Sequence, residues 1–193
     1  MTWFAAKGFS EYAKLVSRNK IVDAEVIIRP FANQDAAQVR ALFITVNRLL
    51  SPLDLLDAFE VYIEHALAEE IDRISAYYGE RDGCFWVAVT GDKVVGTFGL
   101  ERASADAMEL RRMYVDPSVR RLIARRMLQF AEDECRRRNV MRLELSTAEI
   151  QRAAIALYKS AGYRLVHQET VEALSNKTVG SGTRRYYFEK ILR

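Results

Sequence analysis

The spacing of apolar residues predicts that the first half of the chain is mainly helical. Apolar side chains recur there at intervals of three and four residues, which places them on one face of a helix. Ser51 and Pro52 are typical of an N-cap and a first helical position, so a helix is expected to begin there. The predicted elements are a short helix within 1–22, a strand at 24–30, a helix at 35–50, and one long helix or two in tandem at 51–74.

The pattern changes in the second half, where predicted strands and helices alternate. Gly91 and Asp92 separate two apolar runs and are typical of a β-hairpin turn. The segment 146–149 has the sequence of a capping box, which predicts a helix start, and Gly162 is well placed to end that helix. The predicted elements are strands at 84–89, 94–100, 107–115, 141–145, 163–168 and 184–192, and helices at 122–139 and 148–161.

This alternation predicts the fold class. It indicates an α+β or α/β mixed sheet of six to seven strands, with helices on both faces. The chain has 193 residues, half of them apolar, so it is long enough to bury a core of its own. We therefore expect one domain at 23–193, preceded by a helical N-terminal extension at 1–22.

Composition argues against several classes of protein. The net charge of +3 is too small to favour nucleic acid by itself, and no apolar run approaches the ~20 residues of a membrane span. Cys84 and Cys135 lack metal-ligand spacing, so we interpret them as buried thiols in a reducing compartment. The apolar run at the N-terminus is too short for a signal peptide. A cytoplasmic protein that binds no metal, nucleic acid or membrane is expected.

The predicted strand at 107–115 departs from the two-residue period of a sheet. Its apolar positions are separated by two, three and two residues, at Met108, Leu110, Met113 and Val115. Arg111 and Arg112 therefore include one residue too many for a flat ladder, which predicts a β-bulge with unpaired backbone groups. Unpaired amides beside a reaction site stabilise a developing oxyanion. The alternatives are a strand that ends early, or two surface arginines on an edge.

Four arginines surround the start of the predicted helix at 122–139, namely Arg120, Arg121, Arg125 and Arg126. The free amides of a helix N-terminus bind anions, whereas cations at that end oppose the helix dipole. A bound pyrophosphate would reverse this balance. The segment is therefore either a phosphate site or a solvated basic face.

Two motifs resemble the GNAT superfamily of acetyl-coenzyme A-dependent N-acetyltransferases. The first is Val-Asp-Pro at 115–117 followed by the arginine-rich turn, where the family usually has Arg/Gln-x-x-Gly-x-Gly/Ala. The second runs from Gln151 to Tyr163 and closely matches Asn-x-x-Ala-x-x-Leu-Tyr-x-x-x-Gly-Phe/Tyr, with glutamine in place of the asparagine. The resemblance covers roughly 26–192. It implies a mixed, mostly antiparallel sheet, acetyl-coenzyme A as co-substrate and no metal.

The arginine-rich turn departs from the family pattern because it contains no glycine. Glycines let the backbone wrap closely around a pyrophosphate. The best match is one residue short, as though a glycine between Leu122 and Ile123 were absent, and a later helix start would absorb the loss. The departure bears on the strength of coenzyme A binding more than on the fold.

The resemblance also implies roles for individual residues. Tyr158 would protonate the departing thiolate as general acid, and Glu109 would take the proton of the attacking amine as general base. Taken alone, the two residues also fit a core tyrosine and an exposed strand carboxylate. The cofactor would be held by Met113, Tyr114 and Val115 on the strand, by Arg120, Arg121, Leu122, Ile123, Ala124, Arg125 and Arg126 in the turn, and by Gln151, Ala154 and Tyr158 on the second helix.

The implied function is transfer of an acetyl group from acetyl-coenzyme A to a primary amine by direct attack in a ternary complex. The loop at 175–183 often borders the acceptor site in such folds, but the acceptor itself is not identified. One alternative is a catalytically impaired GNAT-fold protein that senses coenzyme A or binds another protein, which the glycine-free turn suggests. Another is a nucleic-acid binder that uses the arginines between Arg111 and Arg142. The sequence allows a homodimer as well as a monomer.

Overall fold

Seven strands form one sheet in the computed structural model, which describes residues 26–192. They are β1 Val26–Pro30, β2 Cys84–Thr90, β3 Lys93–Arg102, β4 Ala107–Val115, β5 Arg142–Ala148, β6 Arg164–Val171 and β7 Thr183–Ile191. The order across the sheet is β1-β2-β3-β4-β5-β7-β6, and every neighbouring pair is antiparallel except β4 and β5, which are parallel. The predicted fold class is confirmed. The predicted N-terminal helix lies outside the described residues.

Helices cover both faces of this sheet. Within the described residues they are α1 Ala36–Leu50, α2 Leu56–Glu69, α3 Ile74–Gly79, α4 Arg120–Arg137 and α5 Arg152–Ser160. The first three pack on one face, where Phe43 and Ile63 are buried against Val87. The last two pack on the other face, where Met127 is buried against Leu143. None of these helices is both long and apolar enough to cross a membrane.

Two predicted helix starts are displaced along the chain. The Ser51 N–H donates to the Arg48 carbonyl in the last turn of α1, a 3₁₀ turn follows at Leu53–Leu55, and α2 begins at Leu56. The residues of the predicted capping box instead lengthen β5, since 146–148 pair with 185–187 of β7. A three-residue run of cross-strand pairing outweighs the local bonds of a cap. As a result, α5 begins at Arg152.

The predicted hairpin and the predicted end of α5 are confirmed. Gly91 and Asp92 form the turn between β2 and β3. Gly162 follows α5 with a φ of +85°, a left-handed conformation that glycine adopts without strain. The Tyr163 N–H donates back to the Tyr158 carbonyl at 3.0 Å, which satisfies a carbonyl at the helix end.

The start of α4 differs from the prediction. The helix begins at Arg120, so the shortened turn is not absorbed by a later start. The Asp116 carboxylate accepts hydrogen bonds from the Ser118 N–H at 3.0 Å and from the Ser118 hydroxyl at 2.6 Å. This side-chain turn reverses the backbone within three residues. The helix can therefore begin immediately after it.

The parallel pair β4 and β5 separates part way along its length. The register runs from Ala107 opposite Arg142 to Leu110 opposite Leu145 and then stops. Beyond that point β4 continues along β3, while β5 pairs with β7. Two adjacent strands that diverge in this way leave a wedge in the middle of the sheet. The candidate site lies in this wedge.

Candidate active site

The sheet is distorted on β4 beside the wedge. Arg112 and Met113 together lie opposite one residue of β3, Phe98. Arg112 has a φ of +52°, which is unfavourable for a residue other than glycine, and its carbonyl accepts a hydrogen bond from the Thr97 hydroxyl at 2.9 Å. The predicted β-bulge is confirmed. The alternative of surface arginines is wrong, because Arg111 and Arg112 are only 6% and 8% exposed.

The ladder on β4 leaves two residues with backbone groups that face the wedge. The Asp116 N–H donates to the Val95 carbonyl of β3 at 2.9 Å. In an antiparallel ladder, alternate residues bond to the same neighbour. The backbone groups of Tyr114 therefore also face β3, and those of Met113 and Val115 face the side that β5 has left. These groups are available to a ligand that lies in the wedge.

A cleft of about 630 Å³ occupies the wedge between β4 and α5. Its walls are largely apolar, and Leu157 on α5 belongs to them. The cleft brings together most of the residues predicted to hold the cofactor, namely Met113, Tyr114, Val115, Ala124, Arg125, Gln151, Ala154 and Tyr158. An elongated ligand with an apolar stem and polar amide groups would match this lining.

The second turn of α4 borders this cleft through Ala124 and Arg125. Val119 precedes the helix and has no side-chain acceptor, so no side chain at that position caps the first amides. The Arg126 guanidinium turns away and donates to the Val26 carbonyl of β1 at 3.1 Å. The first turn consists of Arg120, Arg121, Leu122 and Ile123, of which Ile123 is buried in the core with 1% exposure.

Gln151 lies at the junction between β5 and α5. Its side-chain carbonyl accepts hydrogen bonds from the Thr147 hydroxyl at 2.5 Å and from the Ala148 N–H at 3.2 Å. These bonds fix the orientation of the side chain at the edge of the cleft. Because the carbonyl is occupied, the amide nitrogen is the end that can donate to a ligand.

Tyr158 stands between this cleft and a second, smaller cavity. Its hydroxyl lies 3.9 Å from the Met113 sulfur, and its ring packs against Tyr163 and Phe188 with centroids 5.8 and 6.1 Å apart. Burial raises the pKa of Tyr158, so the phenol stays protonated at neutral pH. It is 6% exposed and can act as a proton donor between the two cavities.

The second cavity, of about 100 Å³, is lined by α1, α2, β4, β5, α5, β6, β7 and the loop between β6 and β7. Its charged lining comprises one carboxylate and four cations, namely Glu109, Arg111, Arg112, Lys177 and Arg185. In the described residues, the buried Nε of Arg112 and the buried hydroxyl of Thr183 have no hydrogen-bond partner. Arg111 and Arg112 are paired with Glu70 and Lys177 with Glu109, so the excess positive charge is that of Arg185. This charge and the unpartnered polar atoms favour a small anionic or polar ligand.

Glu109 lies at this cavity and is paired with a lysine. Its carboxylate accepts a hydrogen bond from Lys177 Nζ at 2.5 Å, and the same ammonium lies 3.2 Å from Glu101. The Glu109 side chain is only 19% exposed, so the alternative interpretation of Glu109 as an exposed strand carboxylate is wrong. Within residues 26–192, no three His, Cys, Asp or Glu side chains are arranged to hold a metal ion.

A buried ion cluster lies behind the bulge. The bulge turns Arg111 and Arg112 to the same face, and each donates to one oxygen of Glu70 at 2.6 Å. The Tyr78 hydroxyl donates to the other oxygen at 2.7 Å, and a Cβ on Gly99 would meet the Tyr78 ring at 2.3 Å. Burial alone would raise the pKa of Glu70, but the two arginines outweigh it and lower that pKa.

The β6–β7 loop is tied to this cluster and to the sheet. Arg112 donates to the Asn176 carbonyl at 2.5 Å. Arg185 donates to the Lys177 carbonyl at 2.6 Å and to the Ser146 hydroxyl at 2.7 Å. Burial lowers the pKa of Arg185, and no carboxylate in the part of the chain that the structure describes forms an ion pair with it. Arg185 is therefore a cation without its own counter-ion.

The sequence does not single out Glu70, Lys177 or Arg185. Glu70 follows several helical glutamates, and the apolar residues on either side of it, Leu67 and Ile71, keep ordinary helical spacing. Lys177 and Arg185 lie in and next to the loop expected to border an acceptor site, but their residue types alone do not separate them from solvated cations. Their partners become visible only in the folded chain.

Comparison with known proteins places these features in a family. The model of the acetyltransferase (GNAT) family matches residues 50–163, which is more than half of the chain. An N-acetylaspartate synthetase from Danio rerio is 34% identical over 135 residues, which cover 66% of this chain and 46% of that protein. N-acetyltransferase 8 from Homo sapiens is 32% identical over 118 residues, 55% of this chain and 50% of that protein. The chain thus spans about half the length of these relatives.

Solved structures show the same fold at low sequence identity. A GNAT-family acetyltransferase from Staphylococcus aureus Mu50 matches with a TM-score of 0.65 and 20% identity over 88% of this chain and 100% of that chain. The PaiA N-acetyltransferase from Thermoplasma acidophilum, solved in complex with coenzyme A, matches with a TM-score of 0.64 and 16% identity over 86% and 99% of the two chains.

Proposed function

The chain belongs to the acetyltransferase (GNAT) family, and on that premise we propose that it transfers an acetyl group from acetyl-coenzyme A to the primary amine of a small acceptor that carries a carboxylate. One observation carries the proposal. The protonated Tyr158 separates an apolar cleft, suited to a thioester arm, from a cationic cavity that contains Glu109.

The residues of the cleft fit acetyl-coenzyme A. The backbone groups of Met113 and Val115 face the wedge and would pair with the amides of the pantetheine arm, much as an added strand would. Ala154 and Leu157 supply the apolar wall opposite β4. The first amides of α4, with Arg125 at the cleft, would receive the pyrophosphate.

Replacing Arg125 by glutamine should weaken acetyl-coenzyme A binding by about tenfold or more, since a hydrogen bond to a charged group contributes about 1.5–3 kcal/mol. Calorimetric titration would measure the change. Arg126→Gln is the matched control, because Arg126 lies next in the same helix turn but donates to the Val26 carbonyl. Equal loss of affinity in both variants would remove Arg125 from the phosphate site.

The chemistry uses two proton carriers on opposite sides of the reacting carbonyl. Glu109 takes a proton from the acceptor amine, and the amine attacks the thioester directly. Backbone N–H groups freed by the bulge stabilise the oxyanion that forms. Tyr158 then donates its proton to the departing thiolate. Both groups border the second cavity, so donor and acceptor can be bound at the same time.

The charge of the second cavity supports a carboxylate on the acceptor. Arg185 borders the cavity and lacks an ion-pair partner among the described residues. A substrate carboxylate would supply that partner, in a pairing that arginine makes with good geometry. The name of the Danio rerio relative, N-acetylaspartate synthetase, points to an acceptor that carries a carboxylate as well. An acidic amino acid is accordingly the first acceptor to test.

Arg185→Gln should raise the KM for a carboxylate-bearing acceptor by roughly 10- to 100-fold, because a charge-assisted hydrogen bond is lost. The KM for acetyl-coenzyme A should stay unchanged. Steady-state kinetics over both substrates would measure the two constants. The control is Arg184→Gln, an exposed neighbour on β7. A KM for the acceptor that does not rise more in Arg185→Gln than in Arg184→Gln would contradict the carboxylate site.

A titration with acetyl-coenzyme A, followed by a screen of amines for release of free thiol, tests the proposed function as a whole. Micromolar binding and thiol release with a carboxylate-bearing amine are expected. Binding without thiol release on any amine would favour the alternative of a coenzyme A sensor. Absence of binding would contradict acetyl transfer and direct attention to the glycine-free turn, where insertion of a glycine after Leu122 would test for a damaged site.

A further inference from the structure

We propose that Lys177 is itself an acetyl acceptor, so that the protein acetylates its own β6–β7 loop within the active site. The inference rests on the proposed function, since it needs bound acetyl-coenzyme A. It adds a modification site on this chain.

The position of the Lys177 amine carries the proposal. Its Nζ lies 2.5 Å from the carboxylate of Glu109, the residue proposed to take the proton of an attacking amine. Lys177 also lines the cavity that Tyr158 and Met113 border. A primary amine is therefore already held against the base, on the acceptor side of the proton donor. An external acceptor would have to bring its amine to the same place.

The loop backbone holds this lysine in place. The Lys177 carbonyl accepts a hydrogen bond from Arg185 at 2.6 Å, and its N–H donates to the Ser175 hydroxyl at 3.1 Å. Asn176 is fixed beside it by Arg112. An amine held within a small volume reacts with a high effective concentration. Because these bonds hold the loop backbone, the flexible side chain is the part of Lys177 that would move toward the thioester.

Residues 26–192 contain three other lysines, Lys93, Lys159 and Lys190, and these lack such features. Lys93 pairs with Asp116, and Lys190 pairs with Glu132. Lys159 is an exposed residue of α5. None of the three borders the cavity that contains Glu109. They are therefore internal controls for acetylation that needs no active site.

The transfer balances without another reactant. The Lys177 ammonium gives one proton to Glu109, the free amine attacks the thioester carbonyl, and the carbon–sulfur bond breaks as the carbon–nitrogen bond forms. Tyr158 protonates the thiolate. The amine loses its second proton to solvent, Glu109 releases its proton to solvent, and solvent restores the phenol of Tyr158. The net products are an amide on Lys177, free coenzyme A and one proton. The amide carries no charge, so Glu101 and Glu109 lose the cation that lies between them.

Incubation of the full chain with acetyl-coenzyme A, followed by peptide mass spectrometry over time, tests this. Lys177 should be acetylated at least about tenfold faster than Lys93, Lys159 or Lys190, as expected for an amine held at the reaction site. The rate should be first order and independent of protein concentration. Tyr158→Phe should slow acetylation of Lys177 and leave that of the other three unchanged.

Two further measurements separate failure of this inference from failure of the proposed function. Calorimetry shows whether the same sample binds acetyl-coenzyme A, and thiol release shows whether it acetylates an added amine. Binding and turnover with Lys177 modified no faster than Lys93 would overturn the inference and leave the function intact. Absence of binding would overturn both. Lys177→Arg keeps the cation, and it should bind acetyl-coenzyme A while incorporating no fast acetyl group.

Discussion

Replacing Tyr158 by phenylalanine should lower kcat by about 10²–10⁴-fold, the usual contribution of a positioned general acid. The affinity for acetyl-coenzyme A should remain close to that of the wild type, because the hydroxyl acts on the leaving thiolate and not on the bound thioester. The ring stays in place, since its packing against Tyr163 and Phe188 does not involve the hydroxyl. Steady-state kinetics together with calorimetric titration would separate the two effects.

Tyr186→Phe is the matched control for this change. Tyr186 packs against the same core but lies on β7 and does not line the cleft or the charged cavity. Its loss of a hydroxyl should leave kcat near the wild-type value. Full turnover in Tyr158→Phe would show that the thiolate leaves without this proton donor. A fall in acetyl-coenzyme A affinity that accounts for the whole loss would assign Tyr158 to binding only.

The fold could be predicted from the sequence because local pattern and final packing agree along most of the chain. Apolar residues at helical spacing mark α1, α4 and α5, and the Gly91–Asp92 pair marks the hairpin. The predictions that differ from the structure concern helix starts, at Ser51, at 146–149 and at α4. At 146–149 the capping sequence competes with cross-strand pairing to residues 185–187, which lie far away in the chain. At Ser51 the displacement is local, since a 3₁₀ turn at Leu53–Leu55 precedes the helix.

The bulge shows which features of the site can be predicted from the sequence. Two consecutive arginines interrupt the apolar alternation of β4, which is enough to predict an extra residue. The reason for two arginines is not visible in the same pattern. Both side chains reach Glu70, which lies 41 residues from Arg111 along the chain. Likewise Lys177 and Glu109, which form an ion pair at the second cavity, are 68 residues apart.

Replacing Glu70 by glutamine should reduce the free energy of unfolding by about 3–5 kcal/mol, because it leaves buried charges of the cluster without their partner. Glu70 is fully buried and accepts hydrogen bonds from both Arg111 and Arg112. Arg112 also has a left-handed φ, which persists only when surrounding contacts enforce it. Loss of the carboxylate should therefore relax the bulge and lower kcat as well. Denaturant unfolding and steady-state kinetics would measure the two effects.

Glu60→Gln on α2 is the control, because Glu60 forms an exposed ion pair with Arg48 and should leave the unfolding midpoint unchanged. The pH dependence tests the cause. The arginines lower the pKa of Glu70 below its ordinary value of 4.5, so its charge stabilises the fold above that pH and this stabilisation is lost as the pH falls through the lowered pKa. The difference in free energy of unfolding between wild type and Glu70→Gln should accordingly be constant near neutral pH and become smaller in acid. A gap that stays constant down to acid pH would mean that Glu70 stabilises the bulge by shape and hydrogen bonding rather than by charge.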